Sequence, residues 1–402
     1  MRHSFIVTTY NIDGYVARCL DSLRGCTRPG DEIIVVDDGS DDGTTERVEA
    51  LLAAGGFGED VALRPILLGC NTVGGVGIPG NIGLREATGE AVFFVDGDDW
   101  LEPAGFAACR AAFETSGADI LIGNYLEYDE ASGQSRPPAD ARHWRGLDAA
   151  RDMAARRSFA LSLIAVPWRK FYRRDFLERH RIRFPEGNFF FEDNPFHWQV
   201  CERAAEIAFH DAVLCQHRIN RPGQTMASTG VELMAFFTHY ETIRDRLPPD
   251  ETELQIAALG WLLNNMSWHV TRLQAPAFWP YANRAAQVLS ACPDTLWAPL
   301  RNRFMATAIG GMAEALHCGD VAGVVAVWGQ DRLLRRIEQM ERALHQARAD
   351  TCNEMATHLQ PVQDRLQIQT ARLDSLHHIA EFRALRALAA ADEALEQKED
   401  GR

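Results

Sequence analysis

Short apolar segments alternate with helical patterns through the first hundred residues, and most of these segments end in a polar cluster. The segments with β-strand character are residues 4–9, 32–37, 62–68 and 91–95, and the helical patterns between them cover residues 12–23, 44–52 and 82–87. Strands that alternate with helices form a parallel sheet whose ligand crevice lies at the carboxyl ends of the strands. The pattern therefore predicts an α/β fold with a Rossmann-like, doubly wound and mostly parallel sheet.

The remainder of the chain changes character towards the carboxyl end. Residues 103–117 have a helical pattern, residues 119–125 a strand pattern, and residues 134–139 form a polar segment that we interpret as a loop. Beyond about residue 231 the strand patterns fade and long helical periods take over. These shifts predict four regions, which are 1–105, 106–228, 229–330 and 331–402.

The last region carries apolar residues at alternating spacings of four and three. They are Leu333, Ile337, Met340, Leu344 and Ala347, and Leu366, Leu373 and Leu376 resume the spacing beyond Pro361. This all-α region is typical of a weak two-part coiled coil or a helical hairpin. We expect it to join copies of the chain into a homo-oligomer or to dock on a membrane assembly complex. A helical cap that completes a substrate site is the plainer alternative.

Composition excludes several classes of partner. The net charge is −15, from 41 basic and 56 acidic residues, so a general nucleic-acid binder is not expected. The nine cysteines are scattered without a Cys-x-x-Cys pair, which fits a reducing cytosol. No apolar run approaches the ~20 residues of a membrane-spanning helix. We therefore expect a cytoplasmic protein, or one that is peripheral at the inner face of the membrane.

An acidic cluster follows the apolar segment that ends at residue 95. It contains Asp96, Asp98 and Asp99 around Gly97. Carboxylates at the end of a buried strand can hold a hard divalent cation together with substrate phosphates. An Asp-Gly turn without a metal explains this motif equally well.

Two other strand ends carry polar side chains. Asp37 and Asp38 end the second segment, and Thr9, Tyr10 and Asn11 end the first. A carboxylate at this edge can accept hydrogen bonds from a ribose or a base, and a tyrosine ring can lie against the base. A helix cap or a turn is the alternative for each of them.

A second acidic pair, Glu192-Asp193, follows three phenylalanines. Apolar surroundings raise the pKa of a carboxyl group towards the range of a general base, although a carboxylate at a helix amino terminus would look the same. Cations are concentrated at Lys170 and along residues 216–225, which include His217, Arg218 and Arg221. They suit a diphosphate, with a solvated basic loop as the alternative.

Taken in order, these motifs resemble the bacterial family 2 glycosyltransferases of the GT-A fold. The matching segments are residues 5–11, 34–44, 80–84, 89–100 and 191–193. The resemblance covers about residues 3–228. It implies an inverting transfer of a sugar from a nucleotide-activated donor to a glycan or lipid-linked acceptor in the synthesis of a bacterial surface polysaccharide. It also implies that residues 1–105 bind the nucleotide sugar and residues 106–228 the acceptor.

The resemblance also implies roles for individual residues. Asp98 and Asp96 would hold Mn²⁺ or Mg²⁺, with His217 as a further ligand, and Asp193 would be the general base that Glu192 orients. Residues that would contact the nucleotide are Thr9, Tyr10, Asn11, Asp37, Asp38, Asn81 and Asp96. Residues that would neighbour the diphosphate are Lys170, Arg218 and Arg221. The donor implied is a UDP-hexose or a UDP-N-acetylhexosamine.

The chain departs from the family pattern at two positions. Gly80 stands where many relatives have arginine, and Arg169 stands where they often have asparagine. Two alternatives to an active glycosyltransferase are a catalytically idle GT-A scaffold and a nucleotidyltransferase of similar fold. The intact Asp98 and Asp193 disfavour the scaffold, and the absence of a basic loop after the first strand disfavours the nucleotidyltransferase.

Overall fold

A computed structural model describes residues 1–149, 152–221, 229–305, 307 and 309–399. Its contacts divide the chain into two units, Met1–Val325 and Ala326–Arg402. The boundaries predicted within and between these units stay predictions. Residues 222–225 of the predicted basic segment and residues 400–402 of the predicted tail lie outside the described residues.

The amino-terminal half of the first unit is a parallel sheet flanked by helices. Its strands are β1 (His3–Thr9), β2 (Glu32–Asp37), β3 (Ala62–Leu67) and β4 (Ala91–Asp96), and its helices are α1 (Asp13–Leu23), α2 (Thr44–Ala54) and α3 (Gly77–Glu86). All three strand pairs in this half are parallel, in the order β3-β2-β1-β4. The predicted alternation is confirmed, with strand ends displaced by no more than one residue.

The following segment adds strands that run both ways. These elements are β5 (Trp100–Leu101), α4 (Pro103–Ser116), β6 (Ile120–Asp129), β7 (Gln134–Arg136), α5 (Met153–Ser162), β8 (Lys170–Arg173), α6 (Arg174–Arg179), α7 (Asp193–Arg203) and β9 (Ile207–Ile219). Strand β8 lies between β4 and β6 and is antiparallel to both. Over the described residues the result is one nine-stranded mixed sheet.

Strands β1, β2 and β4 are buried on both faces of the sheet, where their successive side chains pack alternately. Phe5 and Val7 of β1 belong to one apolar cluster, and Ile6 between them belongs to the other. Phe93 and Phe94 of β4 divide in the same way. This double burial explains why the strands appear in the sequence as continuous apolar runs.

Three predictions differ from the structure. Strand β6 extends four residues beyond the predicted end at residue 125. Helix α3 begins at Gly77, five residues before the predicted start, because its glycines allow close packing: a Cβ on Gly83 would lie 2.3 Å from Cγ2 of Ile6. The polar segment at 134–139 contains the short strand β7, in which Gln134 pairs with Asp129 of β6. Polar residues suffice there because β7 is exposed along its length.

The carboxyl-terminal part of the first unit is helical, as predicted. It comprises α8 (Ala235–Arg246), α9 (Thr252–Val270), α10 (Ala275–Ser290), α11 (Asp294–Met305) and α12 (Gly310–His317). A buried hydrogen bond of 2.7 Å joins Nδ1 of His269 on α9 to the hydroxyl of Tyr281 on α10.

The long helix α13 (Val321–Glu399) begins in the last residues of the first unit and forms the second unit. The helix continues through Pro361, so the helical hairpin was wrong; proline removes one backbone hydrogen bond and can kink a helix without ending it. The apolar residues of its predicted stripe are exposed, as with Leu344 at 51% and Leu366 at 65%. Across the described residues, we find no helix with both the length and the apolar character that crossing a bilayer requires.

Candidate active site

The polar clusters predicted at the strand ends meet at one edge of the sheet. The parallel register aligns Thr9 at the end of β1 with Asp37 at the end of β2, and Thr8 with Asp96 at the end of β4. Ligand crevices of open α/β sheets form at this edge, beyond the carboxyl ends of the strands.

Asp37 is fully buried and its carboxylate is occupied by neighbouring groups of the protein. It accepts hydrogen bonds from the hydroxyls of Thr9 (2.7 Å), Ser40 (2.7 Å) and Thr45 (3.1 Å), and from the backbone N–H of Ser40 (2.9 Å). These bonds fix the turn that follows β2.

The neighbouring residues are arranged differently. Asp38 accepts hydrogen bonds of 3.0 Å from the side chains of Asn71 and Thr72, in the loop that precedes α3. Asn11 has a positive φ of 48° and accepts a hydrogen bond from the N–H of Asp41. The ring of Tyr10 is 46% exposed, so it is accessible to a ligand at this edge.

The acidic cluster places three carboxylates together. Oxygen atoms of Asp96, Asp98 and Asp99 all lie within 4.8 Å of one another. Burial, with the charges of Asp99 and Asp98, raises the pKa of Asp96 well above its ordinary range. Because the negative charges of neighbouring carboxylates repel each other, such a cluster favours protonation of one carboxyl group or the binding of a cation.

Asp99 is bound by residues of β9. Its carboxylate accepts hydrogen bonds from the backbone N–H of Arg218 (2.7 Å) and from Nδ1 of His217 (2.8 Å). Burial alone would lower the pKa of His217, but the Asp99 carboxylate raises it to about 9. Metal binding by His217 stays a prediction and would have to use Nε2.

Two arginines reach the acidic cluster. Nε of Arg221 lies 2.5 Å from Oδ2 of Asp98, and Nε of Arg218 donates to the backbone oxygen of Asp98 at 2.9 Å. Arg218 also pairs with Glu130. The ring of Tyr15 lies 4.7 Å from the guanidinium of Arg218 and 5.5 Å from that of Arg221.

Glu192 and Asp193 stand at the amino-terminal end of α7, after Phe191, whose φ is 65°. The buried Glu192 carboxylate accepts a hydrogen bond of 2.7 Å from the N–H of Gly77. Burial raises the pKa of Glu192 to about 7 and that of Asp193 to about 6. The charge of Asp193 also contributes to the raised pKa of Asp96, so the two carboxyl groups interact electrostatically.

Lys170 and Asn81 are buried rather than exposed in the crevice. Lys170 donates to the backbone oxygen of Val166, and burial, followed by the charge of Arg169, lowers its pKa to about 7. Its charge also opposes the rise in the pKa of Asp193. The amide group of Asn81 hydrogen-bonds the backbone of Phe184, which connects α3 to the segment before α7.

The sequence did not indicate three features of this site. They are the positions of Tyr15 and Glu130 beside the arginines, and the role of Asp99 in bridging the acidic cluster and β9. Asp99 stood beside the predicted ligands, so the carboxylate cluster itself was a signal for it. Nothing local indicated Tyr15 or Glu130. Glu130 follows β6, whose bulged pairing with β9 sets Tyr128 opposite Arg218.

The comparison with known families matches the amino-terminal part of the chain. The family model described as glycosyl transferase family 2 matches residues 4–181, which include the strand ends, the acidic cluster and Lys170. Over these residues the chain is similar to the family 2 glycosyltransferases.

Curated relatives resemble the chain over part of their length. EpsH of Bacillus subtilis (strain 168) is 30% identical over 221 residues, which are 54% of this chain and 60% of EpsH. TarS of Staphylococcus aureus (strain MW2), a poly(ribitol-phosphate) beta-N-acetylglucosaminyltransferase, is 28% identical over 246 residues, 61% of this chain and 39% of TarS. The chain therefore spans less than two thirds of the length of these relatives.

A solved structure shares the fold of this chain. The crystal structure of S. aureus TarS 1–349 in complex with UDP-GlcNAc has a TM-score of 0.65 and 22% sequence identity. The match covers 83% of this chain and 92% of that one. The predicted fold class, a GT-A sheet followed by an all-α region, is confirmed, although the sheet is mixed rather than mostly parallel.

Proposed function

We propose that the chain is an inverting glycosyltransferase. It transfers a hexose or an N-acetylhexosamine from a UDP-sugar to a hydroxyl of a glycan or glycolipid acceptor during synthesis of a surface polysaccharide. The observation that carries the proposal is the group of three carboxylates, Asp96, Asp98 and Asp99, which lie within 4.8 Å of one another inside the range that the family 2 model matches. The TarS complex with UDP-GlcNAc supports the donor class.

Asp193 has the properties of the general base. A pKa of about 6 leaves it ionised at neutral pH, yet basic enough to take a proton as the acceptor hydroxyl attacks. The new bond joins the acceptor oxygen to the anomeric carbon, the bond from that carbon to the diphosphate oxygen breaks, and Asp193 keeps the proton. Lys170 stabilises the ionised form of Asp193, so we favour a role beside the base over the predicted contact with the diphosphate.

The acidic cluster fits a divalent cation such as Mn²⁺ or Mg²⁺. Its donors are carboxylate oxygens, which hard cations prefer, and their mutual repulsion would be relieved by a positive ion. Asp96 and Asp98 would hold the ion, because Asp99 is already bound to His217 and to the Arg218 backbone. When bound, the metal supplies positive charge beside the diphosphate leaving group.

The nucleotide would lie along the ends of β1 and β2. The exposed Tyr10 ring would stack on the base. The side chains of Asp37 and Thr9 bond each other, so they would act by holding the turn that follows β2. Asp38 and Asn11 would border the same crevice. Asn81 would act from a distance through the segment it fixes.

Arg218 and Arg221 would bind the diphosphate. Their guanidinium groups lie beside the carboxylates proposed for the metal, and planar guanidinium groups suit phosphate oxygens. His217, cationic at neutral pH through Asp99, would add to the positive charge.

The experiment that tests the function is UDP release from a panel of UDP-sugars with Mn²⁺, with and without a chelator. Metal-dependent release from one sugar, lost in Asp98→Ala, would support the proposal and identify the donor. UDP binding without turnover, on a broad panel of donors and acceptors, would favour the idle scaffold. Pyrophosphate as the product would instead favour the nucleotidyltransferase.

We also propose that α13 joins copies of the chain. Its exposed stripe keeps the spacing of four and three from Leu333 to Ala347, which is the pattern of a coiled-coil seam.

The proposed reaction takes place in the cytoplasm, where the nine free cysteines would stay reduced, or at the inner face of the membrane.

A further inference from the structure

A cleft of about 210 Å³ lies between α7 and α8, on the helix that begins with Asp193. Helix α7 contributes Trp198, Gln199, Glu202 and Arg203 to its lining, and α8 contributes Arg246. With a rise of 1.5 Å per residue, Gln199 stands about 9 Å along the helix from Asp193. The cleft therefore stands about two helical turns from Asp193, a separation that an extended acceptor can span.

Polar groups in the cleft can both donate and accept hydrogen bonds. Nη1 of Arg246 donates to Oε1 of Gln199 at 3.0 Å, and Nε of Arg203 lies 2.7 Å from Oε2 of Glu202. A free phosphate would meet the Glu202 carboxylate as well as the arginines. A sugar hydroxyl, which donates and accepts at once, can use both kinds of group.

One buried donor in the lining has no partner. Trp198 is 3% exposed, and its indole N–H finds no hydrogen-bond acceptor among the described residues. The indole nitrogen itself is covered by protein atoms, so Trp198 contributes its ring rather than its N–H to the lining. Apolar side chains of Pro195, Ile243 and Leu247 complete the lining and suit the C–H face of a sugar ring.

We propose that this cleft binds a sugar residue of the acceptor glycan, a few units from the hydroxyl that reacts. The inference rests on the proposed glycosyl transfer, and it gives the acceptor a second contact beyond the base. Binding there would orient a chain that already carries sugars and would discriminate it from a single sugar.

Calorimetric titration of the full chain tests this inference. The probes are β-linked oligosaccharides of N-acetylglucosamine and of glucose, each with one to four units. The variant Gln199→Ala/Arg246→Ala removes a bonded pair together, so neither partner is left unpaired. Trp198→Phe keeps the aromatic ring and removes the N–H. Arg244→Ala is the matched control, because Arg244 is on α8 but outside the cleft lining.

We expect the longer oligosaccharides to bind at least tenfold more tightly than the monosaccharide. The double variant should lose about tenfold in affinity for them, whereas Trp198→Phe, which keeps the ring, and Arg244→Ala should bind as the unaltered chain does. Equal affinity in the double variant, or no binding of any probe, would overturn the inference. UDP release without acceptor, measured on the same preparations, tests the proposed function separately because it involves the donor alone.

Discussion

The carboxylate of Glu192 accepts a hydrogen bond from the backbone N–H of Gly77, 115 positions earlier in the chain. Gly77 is the first residue of α3, where a helix has unsatisfied N–H groups that favour an anion. The bond joins the glycine-rich segment to the residue before Asp193. We therefore propose that Glu192 holds the start of α7 in place, which would be the orienting role that the family resemblance implied.

Gly75→Ala should reduce catalysis by displacing Glu192. A Cβ on Gly75 would lie 2.6 Å from Oε1 of Glu192, closer than real contacts of this kind allow. We expect kcat to fall by about tenfold, since a small misplacement of catalytic groups is costly, while the affinity for UDP stays near that of the unaltered chain. Gly69→Ala is the control, because a Cβ there meets nothing within 4 Å. Equal effects of the two substitutions would contradict the prediction.

Asp193→Asn should lower kcat for transfer by about 10²–10⁴-fold, the usual contribution of a general base. The amide keeps the size of the side chain but cannot take the proton from the acceptor hydroxyl. UDP affinity, measured by calorimetry, should be retained. The matched control is Asp175→Asn, an exposed aspartate in the first turn of α6 that pairs with Arg179. Transfer at an undiminished rate in Asp193→Asn would exclude this residue as the base.

The pH dependence of kcat/KM should follow the ionisation of Asp193. The base works only when deprotonated, so with its pKa raised to about 6 activity should be constant above that pH and fall about tenfold per pH unit below it. Lys170→Met removes a charge that lowers this pKa, so the acidic limb should move to higher pH. An unmoved limb in Lys170→Met would show that the lysine does not act on the base.

The pattern of the sequence was sufficient for the amino-terminal sheet. Strands such as His3–Thr9 and Ala91–Asp96 are buried on both faces, so they appear as uninterrupted apolar runs. The start of α3 could not be found in this way, because glycines, which usually indicate loops, are needed in this helix for its close packing. The need for Gly83 comes from Ile6, which only the folded sheet brings near.

The candidate site was predictable at the level of residue type and less so in its arrangement. The sequence indicated a cation at Lys170 but not its burial beside Val166. It indicated a carboxylate at Asp37, but not that the hydroxyls of Thr9 and Ser40 donate hydrogen bonds to that carboxylate. Hydrogen-bond partners across strands depend on register, which a single sequence does not specify.

Asp98→Ala should abolish metal-dependent UDP release. It removes one of the two carboxylates proposed for the ion and also the partner of Arg221. The matched control is Arg221→Ala, which breaks the same ion pair but keeps the carboxylate. Mn²⁺ titration of UDP release should therefore show no response in Asp98→Ala and a retained response at a lower rate in Arg221→Ala. A Mn²⁺ response in Asp98→Ala with the midpoint of the unaltered chain would argue against direct ligation.

Ile337→Glu/Leu344→Glu should dissociate the proposed oligomer of the full chain. Both residues are exposed members of the apolar stripe of α13. In a coiled coil each new carboxylate would lie at the seam, opposite the other chain, and would have to be desolvated. Light scattering should give a multiple of the chain mass for the unaltered protein and the single-chain mass for this variant. Gln339→Glu/Gln346→Glu adds the same charge to the helix away from the stripe and should leave the mass unchanged. A single-chain mass for the unaltered protein would disprove association through α13.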